Sequence, residues 1–517
     1  MSTYTRDNKR IVKNTLLLYV RMLFMMMVSL YTSRVVLSAL GVEDFGIYNV
    51  VGGVVAMFSM LSGSLSAAIS RFITFELGKG EKDKLIKIFS SAISIQIGLG
   101  LVIILLAETV GVWFLNSKMN IPEQRMNAAN WVFQFSVFTF VINLISIPYN
   151  AAIIAHEKMS AFAYISILEA IGKLSIAFLI TITAFDKLIF YSILMCLIAV
   201  LVRFTYGIYC KKHFEECTYH FIYDKNLLKE MFGFAGWNFI GASSSVLRDQ
   251  GGNIILNIFC GPAVNAARGI AMQVNAAING FVTNFMTALN PQITKSYSIG
   301  DKEHLMTLIF KGARLSFYML LLLSLPIIIN THYILRLWLT VIPEHTTFFV
   351  QLILLFSMIE SISSPLITAM LATGKIRNYQ LVVGGLQMMN LPISYIFLRM
   401  GYAPEIVFIV SIAISQCCLA IRLVMLRGMI GLNIRMYLQQ VYLNVIMVSL
   451  IASLTPLLVY YLMSTEIFFN FLLNCLVCFI STIITIFFIG CNIKERAFIR
   501  SKVSMMLIKF LKHDKNN

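Results

Sequence analysis

The segment PYNAAIIAHEK at residues 148–158 has a counterpart, PLITAMLATGK, at residues 365–375. Pro, two Ala and Lys stand in register between the two segments, 217 positions apart. Two further pairs keep the same order at an offset of 220 positions, namely Gly41 with Gly261 and GKGEKDKLIKIF (78–89) with SIGDKEHLMTLI (298–309). One such match carries little weight in a chain rich in Ile, Leu and Ala, but three in consistent order predict an internal repeat.

The composition is that of a membrane protein. The 517 residues are 58% hydrophobic and only 13% charged, with a mean hydropathy of +0.81, whereas soluble domains are about 25% charged. Apolar runs of roughly 20 residues, each long enough to cross a bilayer, recur along the chain. Lipid offers no partner for backbone N–H and C=O groups, so these runs predict helices. We therefore expect an all-α, multi-pass integral membrane fold with about 14 spans.

The repeat divides these spans into two pseudo-symmetric six-helix lobes followed by two extra C-terminal helices. An even number of spans separates the matched copies, so both lobes should have the same orientation in the membrane, as in many transporters. The predicted domains are an N-lobe (1–210), a cytoplasmic linker (211–230), a C-lobe (231–430) and a C-terminal region with two spans and a basic cytoplasmic tail (431–517).

The formal charge of +17 encodes orientation rather than nucleic-acid binding. Most Lys and Arg residues fall in alternate loops and in both tails, which the positive-inside rule places in the cytoplasm. We expect the bacterial cytoplasmic membrane, with both termini cytoplasmic and no nucleic-acid partner. Most of the nine Cys lie in or beside predicted spans, so the sequence suggests neither a disulfide framework nor a metal site.

The sequence lacks the features of an enzyme. It has neither a phosphate-binding GxxxxGK[ST] loop nor a GxSxG nucleophile elbow. Its loops are too short to fold as a separate catalytic domain. We expect a protein that is not an enzyme and holds no cofactor, with coupling to H⁺ or Na⁺ as the candidate energy source.

Charged residues inside the predicted spans are expensive in lipid and therefore mark functional or structural contacts. The basic ones are Arg21, Arg34, Lys173, Arg203, Arg248, Arg268 and Arg422, and the acidic ones are Glu108, Glu169, Asp249 and Glu360. Arg21, Arg203, Glu108 and Arg422 lie near predicted span ends, from which they could reach the headgroups. The surplus of basic over acidic residues favours a negatively charged solute.

Each of two acid–base pairs has two interpretations of equal weight. Glu169 and Lys173 are one helical turn apart and share a face, so they can pair directly. Arg248 stands beside Asp249. Either pair could be a structural ion pair or could face the substrate.

Glu169, Asp249 and Glu360 are also the candidates for ion coupling. Glu360 lies five residues before Pro365 and could equally be a buried, protonated carboxyl group.

Polar residues of the eighth span form a stripe at helical spacing. They are Arg268, Asn275, Asn279, Thr283 and Asn290. Amide groups both donate and accept hydrogen bonds, which suits sugar hydroxyls. They equally suit hydrogen bonds between helices, and the stripe alone slightly favours that structural role.

The chain resembles the Wzx-type oligosaccharide-lipid flippases of the multidrug, oligosaccharide-lipid and polysaccharide exporter superfamily, which includes the MATE fold. The resemblance covers nearly the whole length and rests on the span count, the paired halves and the segment SRVVLSALGVEDFGIYNVVGG (33–53), which looks like the family's turn between its first two helices. It implies an undecaprenyl-pyrophosphate-linked oligosaccharide as substrate. The substrate would move from the inner to the outer leaflet by alternating access, for O-antigen (lipopolysaccharide), capsule or exopolysaccharide synthesis.

The resemblance also implies roles for residues and partners. Family members line their cavity with basic residues, and the best matches here are Arg34, Lys173, Arg248 and Arg268, with Asn275 and Asn279 as further candidates for contacting the headgroup. The implied partners are the lipid-linked oligosaccharide, the bilayer and a polysaccharide polymerase.

Three other functions compete with this interpretation. MATE-type cation-coupled drug antiporters share the architecture, but a passage for cations should carry surplus acid. A flippase for the lipid-linked peptidoglycan precursor has an anionic substrate as well and is poorly separated by sequence. A multispan polymerase or acyltransferase should show a long outer loop or a buried histidine, and the sequence shows neither.

Overall fold

The computed structural model describes residues 3–59, 69, 72–73, 82–156, 158–222, 224–298, 300–373, 376–463, 467–493, 495–497 and 500. Within these residues the regular secondary structure is helical, without strands. The predicted all-α fold is confirmed. The basic tail from residue 501 onward lies outside the described residues.

The helices carry labels in chain order. They are α1 (Thr3–Ala56), α2 (Lys82–Lys118), α3 (Glu123–Ala155), α4 (Met159–Ile182), α5 (Lys187–His213), α6 (Lys225–Cys260), α7 (Pro262–Ser298), α8 (Lys302–Ile329), α9 (Thr331–Trp338), α10 (Thr346–Ala372), α11 (Arg377–Arg399), α12 (Ile406–Ile430), α13 (Ile434–Leu462) and α14 (Phe468–Gly490).

Eleven helices of the described chain are long and apolar enough to cross a membrane. The helices α6 and α7 are long but are not among the eleven, and both carry the polar stretches noted in the sequence. Helix α1 is counted once, although its backbone leaves the helical conformation at Gly41. The multi-pass character is therefore confirmed, and the number 14 stays a prediction.

The two glycines paired by the repeat both have a positive φ. Gly41 interrupts α1 with φ 80° and ψ 171°, and Gly261 separates α6 from α7 with φ 83°. Glycine tolerates positive φ without a steric cost, because it has no Cβ atom. Both glycines interrupt the helical backbone, so the repeat is visible in the backbone.

Other matched positions also have corresponding structures. The described part of α2 begins at Lys82 and α8 begins at Lys302, so helices occupy both copies of this segment at the offset of 220. Pro148 and Pro365 both lie inside helices, in α3 and α10. The part of GKGEKDKLIKIF before Lys82 lies outside the described residues.

The chain divides into two compact units that cut across the linear order of the helices. The first contains Met1–Val274, Trp338–Phe349 and Gln380–Ile414, and the second contains Asn275–Leu337, Val350–Tyr379 and Ser415–Asn517. The domain boundaries at 210 and 430, which follow the sequence repeat, stay a prediction.

The first unit is held together by close helix packing around α1. The buried side chains of Ile47, Val50 and Phe133 belong to one apolar cluster. At Gly46 the backbone lies so close to the start of α7 that an added Cβ would stand 1.8 Å from the carbonyl oxygen of Pro262. This position therefore requires glycine, and it fixes the part of α1 after Gly41 against α7.

The second unit joins the two C-terminal helices to α8. Arg314 of α8 donates hydrogen bonds to the carbonyl oxygen of Gly490 at 3.0 Å and to the carboxylate of Glu495 at 2.8 Å. Tyr318 donates a hydrogen bond to the Asn444 side chain. Polar contacts thus anchor α13 and α14 to the rest of this unit.

Candidate functional site

The charged pair on α4 is formed as its spacing predicts. The Nζ atom of Lys173 lies 2.5 Å from Oε1 of Glu169, and the two side chains are 37% and 33% exposed. The contact neutralises both charges without burying either of them completely. Both groups therefore remain accessible to a solute.

The pair lies on the side of α4 opposite its most apolar exposed face. That exposed face carries Tyr164, Leu168, Ile171, Phe178 and Ile182. At about 100° per residue, Glu169 and Lys173 project from the other side, where Ala170, Ile176 and Ala177 are buried. Two partly accessible charges on this inward side indicate a polar gap there, since apolar packing alone would leave them unsolvated.

A second charged group lies where α6 and α7 meet. Arg248 donates from Nε to Oδ1 of Asp249 at 2.9 Å. Arg268 donates to the backbone carbonyl oxygen of Asp249 at 2.8 Å. Its guanidinium lies 5.2 Å from the ring centre of Phe408, and the residue is 6% exposed.

Arg268 brings a buried positive charge to this group. The carboxylate of Asp249 pairs with Arg248, whereas Arg268 donates to the backbone carbonyl oxygen of Asp249, and none of the ion pairs in the described residues includes Arg268. A carbonyl dipole and an aromatic face stabilise a cation only in part, and a buried charge without a counter-ion is costly. An anion at this point would therefore be stabilised.

Amide side chains brace the same region. Asn265 donates to both the backbone and the side-chain oxygen of Asn253, at 2.7 and 2.8 Å. Asn253 in turn donates to the backbone oxygen of Asn49 on α1 at 3.2 Å. These bonds join α1, α6 and α7 beside the arginines, through asparagines that no sequence pattern singled out.

Arg34 lies apart from the pair on α4. It lines an open cavity of about 340 Å³ with Ser38, Thr181, Lys187 and Thr340, together with Val35 and Ala39. Thr181 follows Lys173 by eight residues, or about 12 Å along the helix axis. Arg34 was not among the charges expected near span ends, but the structure places it near the end of α4.

The segment that supplies Thr340 is tied to α1. The indole Nε1–H of Trp338 donates to the backbone oxygen of Leu30 at 2.7 Å. This bond fixes the start of the segment beside the helix that carries Arg34.

In the second unit, the asparagine stripe makes hydrogen bonds between helices. Ser357 of α10 donates to Oδ1 of Asn275 at 2.6 Å, and Nδ2 of Asn279 donates to Ser357 at 3.1 Å and to Asn275 at 2.9 Å. Farther along, Thr368 donates to Oδ1 of Asn290 at 2.8 Å. The geometry favours the structural alternative for Asn275 and Asn279.

Glu360 has a basic partner that the sequence analysis missed. Nη2 of Arg422 lies 3.5 Å from Oε1 of Glu360, and Ser415 donates a hydrogen bond to the same carboxylate. Arg422 is 1% exposed, so the expectation that it reaches the headgroups is wrong. Arg203 instead covers the ring of Tyr149, with 3.9 Å between the guanidinium carbon and the ring centre.

Two further contacts between a basic and an acidic residue, Arg125 with Asp186 and His345 with Glu405, occupy positions related by the repeat. Arg125 contacts Asp186 at 2.6 Å and Asp44 at 2.6 Å, and His345 contacts Glu405 at 2.6 Å. Arg125 precedes His345 by 220 residues, and Asp186 precedes Glu405 by 219. These offsets match the repeat, which therefore extends into the loops.

Asp186 also accepts hydrogen bonds from the backbone N–H groups at the start of α5. Burial raises its pKa, but the hydrogen bonds from Arg125 and from the backbone of Ile189 and Leu188 outweigh that effect and hold the pKa below its usual value.

Metal ligands do not converge in the described part of the chain, where no group of three His, Cys, Asp or Glu side chains could hold an ion. The identity of any coupling ion stays a prediction.

Comparison with known proteins identifies the family. Residues 11–297, more than half of the chain, match the family model described as "Polysaccharide biosynthesis protein". The chain belongs to this family. A relative from Bacillus subtilis (strain 168), the "Uncharacterized membrane protein EpsK", is 21% identical over 300 residues, and the match spans 58% of each protein.

Solved structures show the same fold. The "Lipid II flippase MurJ, inward closed conformation" superposes with a TM-score of 0.67 at 12% identity, covering 91% of this chain and 98% of that one. An inward-facing "multidrug resistance MATE family transporter of the MOP superfamily" superposes with a TM-score of 0.63 at 14% identity, covering 80% and 98%. The MATE-like, all-α membrane fold predicted from the sequence is confirmed.

Proposed function

We propose that this protein moves an undecaprenyl-pyrophosphate-linked oligosaccharide from the inner to the outer leaflet of the bacterial cytoplasmic membrane, for O-antigen, capsule or exopolysaccharide synthesis. The observation that carries the proposal is the buried guanidinium of Arg268, which donates to the backbone carbonyl oxygen of Asp249 and belongs to none of the ion pairs of the described residues. A positively charged and partly buried group of this kind suits a pyrophosphate. The family match to polysaccharide biosynthesis supports the sugar part.

The physical need for such a site is large. Moving an ionised phosphate through hydrocarbon without compensation costs tens of kcal/mol by continuum estimates. In the proposed cycle, the lipid tail stays in the bilayer while the charged head passes along the polar gap beside α4. Alternating access opens the site in turn to each side, and both termini stay in the cytoplasm.

The pair on α4 suits a role in which contacts change during transport. Lys173 is held by Glu169 in the absence of substrate. A phosphate oxygen can compete for the Lys173 ammonium, because both ligands are anions and the pair is accessible. Glu169 would then be released, which makes it a candidate for taking up a proton.

A flippase for the lipid-linked peptidoglycan precursor is the second candidate. The observation favouring it is the superposition with MurJ over 91% of this chain. A drug antiporter fits less well, because a cationic drug would be repelled by Arg248 and Arg268. The proposed product would pass to a polysaccharide polymerase rather than be modified by this protein.

The experiment is complementation of a deletion strain with Arg268→Gln and Lys173→Gln. Both variants should reduce surface polysaccharide and cause lipid-linked oligosaccharide to accumulate in the inner leaflet, at a normal protein level. Arg399→Gln is the matched control, because it removes an exposed cation at the end of α11. Surface polysaccharide at the wild-type level in both cavity variants would remove the proposed role of these cations.

Two further strains separate the candidates. Rescue of a strain depleted of its peptidoglycan precursor flippase, without effect on surface polysaccharide, would favour the second candidate. Increased resistance to cationic drugs in an otherwise unchanged strain would favour an antiporter. Restored surface polysaccharide alone would support the oligosaccharide flippase.

A further inference from the structure

The cavity near the end of α4 has the composition of an anion site. Its lining contains two basic side chains, Arg34 and Lys187, and three hydroxyl groups, from Ser38, Thr181 and Thr340. The remaining lining residues, Val35 and Ala39, are apolar, so no acidic side chain belongs to the lining. The lining therefore contributes two basic groups and no acidic one.

The acid nearest in sequence to the cavity has other partners. Asp186 precedes Lys187, but its carboxylate contacts Arg125 at 2.6 Å and accepts from the backbone N–H groups of Leu188 and Ile189 at 3.0 and 3.1 Å. Those contacts orient it toward Arg125 and the first turn of α5. It stabilises the helix that carries Lys187 without belonging to the cavity lining.

This combination of side chains matches the chemistry of a phosphate or diphosphate ester. A guanidinium presents paired N–H donors to phosphate oxygens, and an ammonium adds a compact positive charge. Three hydroxyl groups can donate to the remaining oxygens. The cavity, at about 340 Å³, is open, so a phosphate attached to a larger molecule could enter.

Apolar residues beside the cavity favour a phosphate carried on a lipid. Ile182 follows Thr181 directly and is 79% exposed, and Phe185 is 77% exposed. Phe178 lies one turn earlier, with its ring 6.1 Å from that of Tyr31 on α1. A hydrocarbon chain could lie against these residues while its phosphate occupies the cavity.

The position along α4 gives the cavity a place in the transport path. Thr181 lies about 12 Å along the helix axis from Lys173, at the end that the positive-inside topology places outside. We propose that the cavity formed by Arg34, Lys187, Ser38, Thr181 and Thr340 is a second, exit-side site for the diphosphate group of the lipid-linked substrate. This proposal rests on the proposed flippase function and adds a second binding step to it.

Two binding sites spaced along α4, one at Lys173 and one beside Thr181, have a mechanistic advantage. A substrate bound tightly at a single deep site would leave slowly, whereas a second site lowers the barrier to departure by receiving the charge as it moves. After the diphosphate leaves Lys173, the ion pair with Glu169 can form again. The second site thus speeds the step between Lys173 and the outer side.

The test uses the full-length protein in nanodiscs with a benzophenone amino acid in place of Thr340. The probes are undecaprenyl diphosphate, added to the lipid, and inorganic pyrophosphate. We expect light-dependent crosslinking to undecaprenyl diphosphate, reduced at least about tenfold by the double substitution Arg34→Gln and Lys187→Gln, since each charge-assisted contact is worth about a factor of ten. Arg399→Gln should leave crosslinking unchanged.

The outcomes decide between sources of the phosphate. Equal crosslinking with and without the double substitution, or no crosslinking in the starting protein, would overturn the proposal. Complete competition by inorganic pyrophosphate at a concentration equal to that of undecaprenyl diphosphate would also overturn it. The site would then bind the free ion as well as it binds the lipid-linked diphosphate. Thermal unfolding of the double variant at the wild-type temperature would exclude misfolding as the cause of a lost crosslink.

Failure of this proposal is distinguishable from failure of the flippase function. If the wild-type protein restores surface polysaccharide but crosslinking is insensitive to Arg34 and Lys187, only the exit site is removed. If the wild-type protein does not restore surface polysaccharide, the function on which the site rests fails, whatever the crosslinking shows.

Discussion

The guanidinium of Arg422 on α12 lies 3.5 Å from the carboxylate of Glu360 on α10, in a place where Arg422 is 1% exposed. Ser415 donates a hydrogen bond to the same carboxylate. The Nε–H group of Arg422 donates to the hydroxyl oxygen of Tyr379 at 3.4 Å. Removing either charge leaves the other buried without a counter-ion. The contact therefore supports a structural role for Glu360 beside the coupling role suggested by its sequence position.

The first prediction concerns this pair. Glu360→Gln should destabilise the protein by about 3–5 kcal/mol, the usual effect of breaking a buried ion pair. The double variant Glu360→Gln with Arg422→Gln should recover part of that loss, because no unpaired charge remains. Thermal unfolding of the purified variants measures both effects. Normal stability of Glu360→Gln, together with transport that no longer responds to an ion gradient, would instead assign it to coupling.

The second prediction concerns the asparagine stripe. Asn279→Ala should lower stability by about 0.6–2 kcal/mol, the range for hydrogen bonds between membrane helices. Ser357→Ala should have a similar effect, and the double variant should lose less than the sum, because the two residues share bonds. Wild-type stability with reduced surface polysaccharide would show that Asn279 contacts the sugar.

The third prediction concerns Gly41. An alanine there must adopt φ near 80° with ψ near 171°, a region that only glycine occupies readily, so Gly41→Ala should cost about 1–3 kcal/mol. No atom lies within 4 Å of the added Cβ, which leaves backbone strain as the only local cause. Gly98→Ala in α2, also free of close neighbours, is the control and should be neutral or slightly stabilising. Equal unfolding temperatures for the two variants would contradict this explanation.

The fourth prediction concerns pH. Because the pKa of Asp186 is lowered in the folded protein, its contribution to stability is present above the unfolded pKa of about 3.9. That contribution is lost as the pH falls through the folded value. The unfolding temperature of Asp186→Asn should therefore be lower than that of the wild type at pH 7, and the difference should shrink below about pH 4.

Glu43→Gln, which removes an exposed acid of α1, controls for the change in net charge. A difference for Asp186→Asn that stays constant down to pH 3 would contradict the assignment to Arg125 and the α5 backbone.

Local spacing and repetition were enough to predict several features of this protein. The spacing of Glu169 and Lys173 predicts their contact, because residues four apart share a helix face. The match of Gly41 with Gly261 predicts two equivalent breaks, because both glycines follow a helix at the same point of the repeat. These predictions needed no knowledge of which helices are neighbours.

Contacts between distant segments could not be predicted from local spacing or from the repeat. Arg422 looked like a headgroup-facing residue from its place near a span end, but the position of α12 beside α10 buries it. The roles of Asn275 and Asn279 depend on Ser357 of α10, 82 and 78 residues away. The sequence position of Arg34 predicted only its depth in the membrane. Its neighbours in the structure come from α4, α5 and Thr340.

The indole of Trp338, held by its hydrogen bond to Leu30, is an intrinsic fluorophore. Indole emission responds to the polarity and motion of its surroundings, and Trp338 stands two residues before Thr340 of the exit cavity. The chain contains four Trp, so replacing the other three with Phe would leave a single emitter at that point. Shifts in its spectrum would then follow arrival and departure of the cargo in real time, without any attached dye.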